Sequence, residues 1–494
     1  LTGTNDPRRM RKLVFALIVG LALAGCGGAN GISLAPTALL PQTGSSHSPI
    51  QHVVIVIQEN RSFDNLFDCF KGTACVTYGK ERVLENGRWI DKRVNLAEQD
   101  LVRKQSNTDI GHCFYSFMRA YDKGKMDGFN REPYGVCPRN WPKNVKQINA
   151  LAYAYVNPSE IAPYWDIASQ YVLADRTFQT QGSGSFTAHQ DLIRGGTALG
   201  GQYGSSSSMI DTPDGDPWGC DALSNVVTDL ISTSLTWGEN NGPQPCTKDF
   251  GYSGYSNYQT MRDLLDAAGV SWKYYSPCFK DSGTSGCQGE TCTTCIGGLL
   301  NAFDVIAPVR YGPEWGTNVS MPQTNILTDI QNNALPAVSW LIPSENDSDH
   351  LGDSVDNGPE WVASVVNAIG QSSYWNSSAI VVLWDDWGGL YDHVKPPGKR
   401  DDQGGLGFRV PMMIVSPYVG QGVVSHTQYE FGSILKYVEQ NWKLGSLGTT
   451  DRRANSIGNV FNYDQQPRTF TSIPSSKTKD YFLHEPPSGP GDPE

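Results

Sequence analysis

The sequence lacks an excess of positive charge, a second long apolar run and a high content of charged residues, and each absence excludes a class of protein. Its 494 residues carry 38 Lys and Arg against 50 Asp and Glu, a formal charge of −12. Such a chain repels a phosphate backbone, so no nucleic-acid partner is expected. Beyond residues 13–24, no apolar run is long enough to cross a bilayer. With 18% charged and 39% hydrophobic residues, the chain is not a coiled coil, a disordered polypeptide or a small disulfide-stabilised peptide.

Residues 1–25 have the pattern of an export signal. Basic residues at positions 8, 9, 11 and 12 precede an apolar run that is too short to remain as a spanning helix, and Met10 is the predicted start. Leu23-Ala24-Gly25-Cys26 resembles the lipobox of bacterial lipoproteins, which predicts that Cys26 is lipidated and anchors the chain to a membrane. An ordinary secretory signal is the alternative. The predicted location is therefore the periplasm, the cell surface or the medium.

The regions outside the folded domain are marked by their composition. Residues 26–50 contain the lipidated cysteine and a stretch rich in Gly, Ser, Pro and Ala, which predicts a flexible tether. Residues 474–494 are rich in proline and predict a disordered tail. The catalytic domain is accordingly predicted to span residues 51–473.

Ten further cysteines follow Cys26, and an even number in an exported chain predicts disulfides. Their spacing favours three local pairs, Cys69–Cys75, Cys113–Cys137 and Cys220–Cys246. The connectivity of the other four stays open: Cys278, Cys287, Cys292 and Cys295. A zinc half-site at Cys292-Thr-Thr-Cys295 is disfavoured, because no second close pair of Cys or His accompanies it.

Short apolar runs alternate with segments of helical periodicity. Strands are predicted at His52–Asn60, Val270–Tyr275, Ala337–Ile342, Ala379–Trp384 and Pro411–Val415. Helices are predicted at Ser159–Ser169, Tyr258–Ala268, Pro359–Ile369 and Gly432–Trp442. This alternation indicates an α/β sandwich with a mostly parallel sheet, and residues 197–260 and 278–322 would be disulfide-stapled insertions.

Polar residues follow three of the predicted strands: Glu59-Asn60, Asp385-Asp386 and the segment Ser344–His350. In open α/β sheets, ligands bind beyond the carboxyl ends of the strands, so these three ends are expected to converge. Carboxylate and amide oxygens suit a divalent cation, and a cation offsets the repulsion between adjacent carboxylates. The alternative for each pair is a turn after a strand, with a helix cap at Ser62 or Asp64 beyond the first.

The segment Gln181–His189 presents hydroxyl groups on a glycine-rich turn, and Ser185 is the candidate nucleophile. Gly182 and Gly184 would let a ligand approach the backbone, although an ordinary loop is the alternative. Four of the eight histidines lie within or beside the polar motifs, namely His112, His189, His350 and His393. Their position favours a role in general acid–base catalysis. A structural hydrogen bond is the alternative for any one of them.

At these residues the chain resembles the phosphoesterase family of bacterial phospholipases C and acid phosphatases. The motifs stand in the family's order: Glu59-Asn-Arg-Ser-Phe-Asp64, Asp109-Ile-Gly-His112 with Gly124-Lys-Met-Asp-Gly-Phe129, Gly184-Ser-Phe-Thr-Ala-His189, Trp384-Asp-Asp-Trp-Gly-Gly-Leu-Tyr-Asp-His-Val394, and Arg409-Val-Pro411 with Ser416-Pro417. The resemblance covers residues 50–445. It implies an alkaline-phosphatase-like three-layer sandwich that holds one divalent metal ion, which is calcium, zinc, magnesium or manganese.

The resemblance also implies roles for individual residues. The metal ligands would be Glu59, Asn60, Ser185, Asp385 and Asp386, with Ser185 also the nucleophile. His112 and His350 would flank the scissile phosphate, and one of them would protonate the leaving oxygen. His189 and His393 would orient the ligands.

The function that the resemblance implies is an exported, metal-dependent phosphoric ester hydrolase that acts through a phosphoserine at Ser185. The substrate is either a phospholipid, as for a phospholipase C, or a phosphomonoester, as for an acid phosphatase. A catalytically silent cell-surface binding lipoprotein is the alternative. A sulfatase is the weaker alternative, because no Cys or Ser precedes Pro and Arg at the spacing of the formylglycine motif.

Overall fold

A computed structural model gives the structure of residues 48–102, 109–135, 147–199, 208–215, 218–232, 237–238, 242–246, 258–278, 300–352, 355–397 and 405–486. All of them belong to one unit, Gly44–Glu494. The predicted export signal, Cys26 and nearly all of the tether lie outside the described residues, as do Cys137, Cys287, Cys292 and Cys295.

The secondary structure alternates along most of the chain. The strands are β1 (His52–Gln58), β2 (Tyr78–Glu85), β3 (Arg88–Asn95), β4 (Ala97–Gln99), β5 (Ala154–Val156), β6 (Val172–Ala174), β7 (Met209–Pro213), β8 (Thr228–Ile231), β9 (Trp237–Gly238), β10 (Trp272–Tyr275), β11 (Val319–Ser320), β12 (Val338–Leu341), β13 (Ser378–Trp384), β14 (Met412–Val415) and β15 (Val423–Ser425). The α-helices are α1 (Phe63–Phe67), α2 (Phe114–Tyr121), α3 (Ala162–Gln170), α4 (Ser185–Arg194), α5 (Met261–Ala268), α6 (Ala307–Arg310), α7 (Glu314–Thr317), α8 (Asn325–Gln331), α9 (Gly358–Gly370), α10 (Phe431–Trp442) and α11 (Lys479–Phe482).

The central sheet has eight strands within the described residues, in the order β11-β10-β12-β1-β13-β14-β6-β15. Strand β14 runs antiparallel to both of its neighbours, and the other adjacent pairs are parallel. The middle strands β1 and β13 are continuous β-branched and apolar runs, buried at every position except His52. Such runs are typical of strands that are covered on both faces. The predicted mostly parallel sheet is confirmed.

Two tryptophans show that helices cover both faces of this sheet. Trp340 on β12 donates its indole N–H to the Leu192 carbonyl of α4, at 3.1 Å. Trp384 on β13 packs edge-on against Tyr164 of α3, with ring centroids 4.9 Å apart. Through β1, Trp340 lies in register with Val381, three residues before Trp384, so the two indoles point to opposite faces. Helix, sheet and helix layers form the predicted α/β sandwich.

Two of the predicted disulfides, Cys69–Cys75 and Cys220–Cys246, are present. The third cannot be compared, because Cys137 lies outside the described residues. Part of the predicted insertion 197–260 forms the separate sheet β7-β8-β9. Residues 319–320, in contrast, add edge strand β11 to the central sheet, so this part of the second predicted insertion belongs to the main fold.

The structure differs from the predicted disordered tail over residues 474–486. Helix α11 lies in this stretch, and Phe482 is only 2% exposed. Its ring packs against Trp361 of α9, with centroids 5.2 Å apart. Burial of this ring and a hydrogen bond from Asn357 to Glu485, at 2.6 Å, help to hold a segment whose proline content predicted disorder.

None of the described helices is both long enough and apolar enough to cross a membrane.

Candidate active site

The site lies where two central strands end side by side. Strands β1 and β13 are adjacent and parallel, and Gln58 is in register with Trp384. Glu59-Asn60 and Asp385-Asp386 therefore leave the sheet at the same edge, and all four side chains are no more than 2% exposed. The predicted convergence of these two strand ends is present in the structure.

The backbone at Asn60 fixes the geometry of the two acids. Asn60 adopts a left-handed conformation with φ of 61°, which Asn tolerates better than most residues. Its amide N–H donates to Asp385 Oδ1 at 2.9 Å, and the Asp386 amide donates to the same oxygen at 2.6 Å. Two backbone donors thus hold one carboxylate oxygen and aim the other, Oδ2, away from them.

Ser185 is the first residue of α4, and its hydroxyl faces these strand ends. Its Oγ lies 3.3 Å from Asp386 Oδ2 and 3.5 Å from Asn60 Oδ1. Helix α4 has ten residues, so its positive amino-terminal end favours negative charge on this hydroxyl or on a phosphate beside it. The position suits a nucleophile for a phosphate ester.

Gly182, three residues before Ser185, packs closely against a neighbouring helix. A Cβ on Gly182 would come within 2.3 Å of the Phe117 ring. Gly182 therefore allows the turn to pack closely against α2.

His112 joins the same group of side chains. Its Nδ1 lies 2.7 Å from the Ile110 carbonyl oxygen, which can only accept, so Nδ1 carries the proton. Nε2 then accepts from Asn60 Nδ2 at 3.0 Å, and this bond turns the Asn60 Oδ1 atom toward Ser185. The same nitrogen is 3.5 Å from Asp386 Oδ2, an ion-pair distance when the ring is protonated.

His189 occupies a different position from the one expected. Its Nε2 is 3.3 Å from Glu59 Oε1 and 3.8 Å from Asp385 Oδ2. One ligand atom from each of these three buried residues lies within 4.8 Å of the others. The sequence predicted that His189 orients the metal ligands without binding the ion itself. In the structure its Nε2 atom lies among the candidate ligand atoms.

The donor set fits a divalent cation. Three carboxylates, those of Glu59, Asp385 and Asp386, are buried together, and Asp385 Oδ2 accepts no hydrogen bond from a described residue. Burial, followed by the charge of Glu59, raises the pKa of Asp385 well above its ordinary value. A bound cation offsets both effects, and carboxylate, amide and imidazole donors are ligands that such ions accept.

His350 lies beside this group, at the end of the segment that follows β12. Its ring centroid is 6.2 Å from that of His112, and its amide donates to Ser348 Oγ at 3.2 Å. The structure therefore brings the two histidines close together beside the site.

His393 lies in a separate ion-pair network. Its Nδ1 is 2.7 Å from Asp64 Oδ2, and Arg409 binds both Asp64, at 2.7 Å, and Asp392, at 3.0 Å. Burial raises the pKa of Asp64 on its own, but Arg409 and His393 lower it overall. His393 was expected to orient metal ligands, and its recorded contacts instead tie α1 to the loop after β13.

Sequence reasoning missed Glu132 and the partners of Arg409. Glu132 is fully buried, and burial raises its pKa well above the ordinary value, while Arg119, Arg131 and His112 oppose that rise. It lies in a loop without periodicity, so no pattern marked it. The family motifs contain Asp64, Asp392 and Arg409. The presence of two acids and one arginine in these motifs was the sequence signal that could have predicted an ion-pair network.

Comparisons with known proteins identify the family to which this chain is similar. The model of the Phosphoesterase family matches residues 50–445. Non-hemolytic phospholipase C of Burkholderia pseudomallei is 25% identical over 516 residues, which cover 92% of this chain and 66% of that protein. Phospholipase C B of Mycobacterium tuberculosis is 26% identical over 467 residues, which cover 85% of this chain and 78% of that protein.

Among solved structures, a protein in the alkaline phosphatase superfamily from Vibrio parahaemolyticus is 10% identical, with a TM-score of 0.32. That match covers 76% of this chain and 72% of the other.

Proposed function

Because this chain belongs to the phosphoesterase family, we propose that it is an exported, metal-dependent phospholipase C with Ser185 as its nucleophile. The prediction of a phosphoric ester hydrolase is confirmed at the level of the family and of relatives named phospholipase C. The observation that carries the finer proposal is the position of Ser185 Oγ, within 3.5 Å of both Asp386 and Asn60 and at the amino-terminal end of α4.

The residues that would hold the cation are Glu59, Asn60, Ser185, His189, Asp385 and Asp386. When bound, it would lower the pKa of the Ser185 hydroxyl and neutralise charge on the phosphate. The donor set leaves calcium, zinc, magnesium and manganese open, although the imidazole of His189 favours zinc or manganese over calcium.

The chain's own groups account for the proton movements. Ser185 Oγ loses its proton toward Asp386 Oδ2 and forms a bond to phosphorus, while the bond from phosphorus to the ester oxygen breaks in line. His350, whose ring lies beside that of His112, supplies the proton that the leaving oxygen takes, because His112 Nε2 accepts a hydrogen bond from Asn60. Water then hydrolyses the phosphoserine, which releases the phosphorylated head group and restores Ser185.

The test compares Ser185→Ala with Ser364→Ala, a buried serine of α9 whose Oγ makes no hydrogen bond within the described residues. Each protein is assayed on p-nitrophenyl phosphorylcholine and on p-nitrophenyl phosphate, with and without a chelator. We expect Ser185→Ala to lose at least about 10³-fold in kcat, while Ser364→Ala retains activity. Activity on the choline diester supports the phospholipase C assignment.

A preference for the monoester would instead identify an acid phosphatase. Chelator-resistant turnover, or full activity in Ser185→Ala, would contradict the proposed chemistry.

We also propose export and lipid anchoring at Cys26, on the basis of the sequence pattern alone. Expression in a bacterial host with labelled fatty acid, followed by mass spectrometry of the mature amino terminus, tests this. Label is expected in the wild-type chain and absent from Cys26→Ser. A mature terminus without acyl groups in both chains would indicate an ordinary secretory signal.

A further inference from the structure

The hairpin β2–β3 presents apolar side chains to solvent. Leu84 is 57% exposed, Trp89 46% and Ile90 37%. The connecting turn is Asn86-Gly87, and both residues have positive φ, as a tight two-residue hairpin turn requires. Leu84 and Trp89 are cross-strand partners, so they share one face next to the turn. We define Leu84, Trp89 and Ile90 as the hairpin tip.

Basic residues lie along both strands of this hairpin in an otherwise acidic protein, and two of them are ion-paired, Arg82 with Asp122 and Lys92 with Glu85. Residues 78–95 contain five basic and three acidic side chains and so carry +2, while the whole chain carries −12. The basic residues are Lys80, Arg82, Arg88, Lys92 and Arg93. An apolar tip with local positive charge matches a surface that is apolar inside and negatively charged outside.

The base of the hairpin packs on the block that carries the candidate active site. A Cβ on Gly79 would come within 2.8 Å of the rings of Tyr153 and Tyr391. Tyr391 contacts Phe129, which in turn packs against Trp387, the residue after Asp386. One aromatic cluster thus supports both the hairpin and the loop that carries Asp386.

A second copy of the chain is a less suitable binding partner for the tip than a lipid surface. A stable dimer interface buries about 1,200 Å² or more, and three side chains at a turn supply only a small part of that area. Tryptophan beside Lys and Arg is instead typical of the boundary between lipid head groups and acyl chains.

We propose that the hairpin tip inserts into the surface of an anionic phospholipid bilayer, with Arg88 and the other basic residues of the hairpin facing its head groups. This inference goes beyond the proposed function, because attachment to a bilayer requires no turnover. It also differs from anchoring at Cys26, which lies in another part of the chain.

The test measures cosedimentation with vesicles of phosphatidylcholine alone and of an equal mixture with phosphatidylglycerol. All proteins are full chains that carry Cys26→Ser, so that acylation there does not contribute. The tip variant combines Leu84→Ser with Trp89→Ser. Its matched control combines Leu223→Ser with Tyr311→Ser, two side chains that are 61% and 69% exposed elsewhere on the surface.

We expect the tip variant to bind mixed vesicles about tenfold more weakly than the control. A charge variant, Lys80→Gln with Arg88→Gln, should lose about fivefold per charge on mixed vesicles and little on phosphatidylcholine alone. Urea unfolding midpoints equal to that of the parent chain show that the variants are folded.

Equal binding of the tip variant and its control would overturn the proposal. So would a dimer in sedimentation velocity that the tip variant abolishes, because the tip would then be an interface between copies.

Discussion

At the scale of single residues, Asp64 favours the protonated form of His393 by raising its pKa. Burial by itself lowers the pKa of His393, but the hydrogen bond to Asp64 and its charge raise the pKa overall. A raised histidine pKa adds stability that is present below the ordinary value of about 6.5 and is lost as the pH rises through the folded value.

We therefore expect His393→Gln to lower the free energy of unfolding by about 1 kcal/mol more at pH 5.5 than at pH 8.5. Urea unfolding at the two pH values measures this difference. His426→Gln is the control, because His426 makes a similar bond to Asp175, at 2.8 Å, with a side chain that is 64% exposed. A larger loss for His393→Gln at the higher pH would reverse the sign and contradict the account.

At the scale of elements, the turn after β13 depends on a glycine. Gly388 has φ of 58°, and a Cβ there would lie 2.0 Å from the Asn60 carbonyl oxygen. Gly87 in the hairpin turn also has positive φ, but its Cβ would meet nothing within 4 Å. A side chain at Gly87 would introduce backbone strain alone, whereas a side chain at Gly388 would also displace Asn60.

We expect Gly87→Ala and Gly388→Ala each to lose about 1–2 kcal/mol of stability from the left-handed backbone. Only Gly388→Ala should also lose about 100-fold in kcat, because it displaces Asn60. Unfolding curves and turnover of p-nitrophenyl phosphorylcholine measure the two effects. Unchanged kcat in Gly388→Ala would show that Asn60 need not hold its position.

Arg409 connects three elements around the site. It bonds Asp64 of α1, Asp392 after β13 and the Asp175 carbonyl after β6, and its side chain is 4% exposed. Removal of one partner from a buried ion pair leaves an uncompensated charge.

Arg409→Met is therefore expected to lower the free energy of unfolding by about 3–5 kcal/mol. The control is Lys125→Met, which breaks a bond to Asp122 from a side chain that is 49% exposed and should cost less than about 1 kcal/mol. Both values come from urea unfolding. Similar losses in the two variants would mean that Arg409 is not a buried structural link.

At the scale of the whole molecule, metal binding is expected to stabilise the fold. Glu59, Asp385 and Asp386 are buried together, and removal of a bound cation leaves their charges in repulsion. At a metal concentration of about 100 Kd, a chelator should lower the free energy of unfolding by about 2.7 kcal/mol.

Asp385→Asn should show a smaller chelator effect, because it removes one charge and replaces a carboxylate ligand with a weaker amide ligand. Calorimetric scans with metal and with chelator measure it for both proteins. Equal scans of the wild-type chain under the two conditions would contradict a resident metal ion.

The sequence predicts the parts of this molecule that depend on short-range patterns. The apolar runs of β1 and β13, and the polar residues that follow them, can be recognised without tertiary information. Because adjacent parallel strands end at the same edge of a sheet, their polar ends are expected to meet. Strand β6 and the edge strand β15 have only three residues each, too few for a periodic signal.

The side of a helix that faces the site depends on packing. His189 reaches Glu59 because α4 is rotated so that both Ser185 and His189 face the strand ends, four residues apart. His393 follows the same motif as Asp385 and Asp386, yet Asp64 and Arg409 draw it into another network. The sequence motif alone therefore does not show which of its residues reach the candidate site and which stabilise the fold. That depends on the folded structure.

The central claim is that Ser185 attacks phosphorus before water does, and the stereochemical course at phosphorus tests it most directly. A chiral, oxygen-labelled phosphorothioate diester is hydrolysed by the metal-loaded protein, and the configuration of the product is determined. Two in-line displacements, through Ser185 and then through water, predict retention of configuration. Inversion would show a single attack by water and would contradict a phosphoserine intermediate at Ser185.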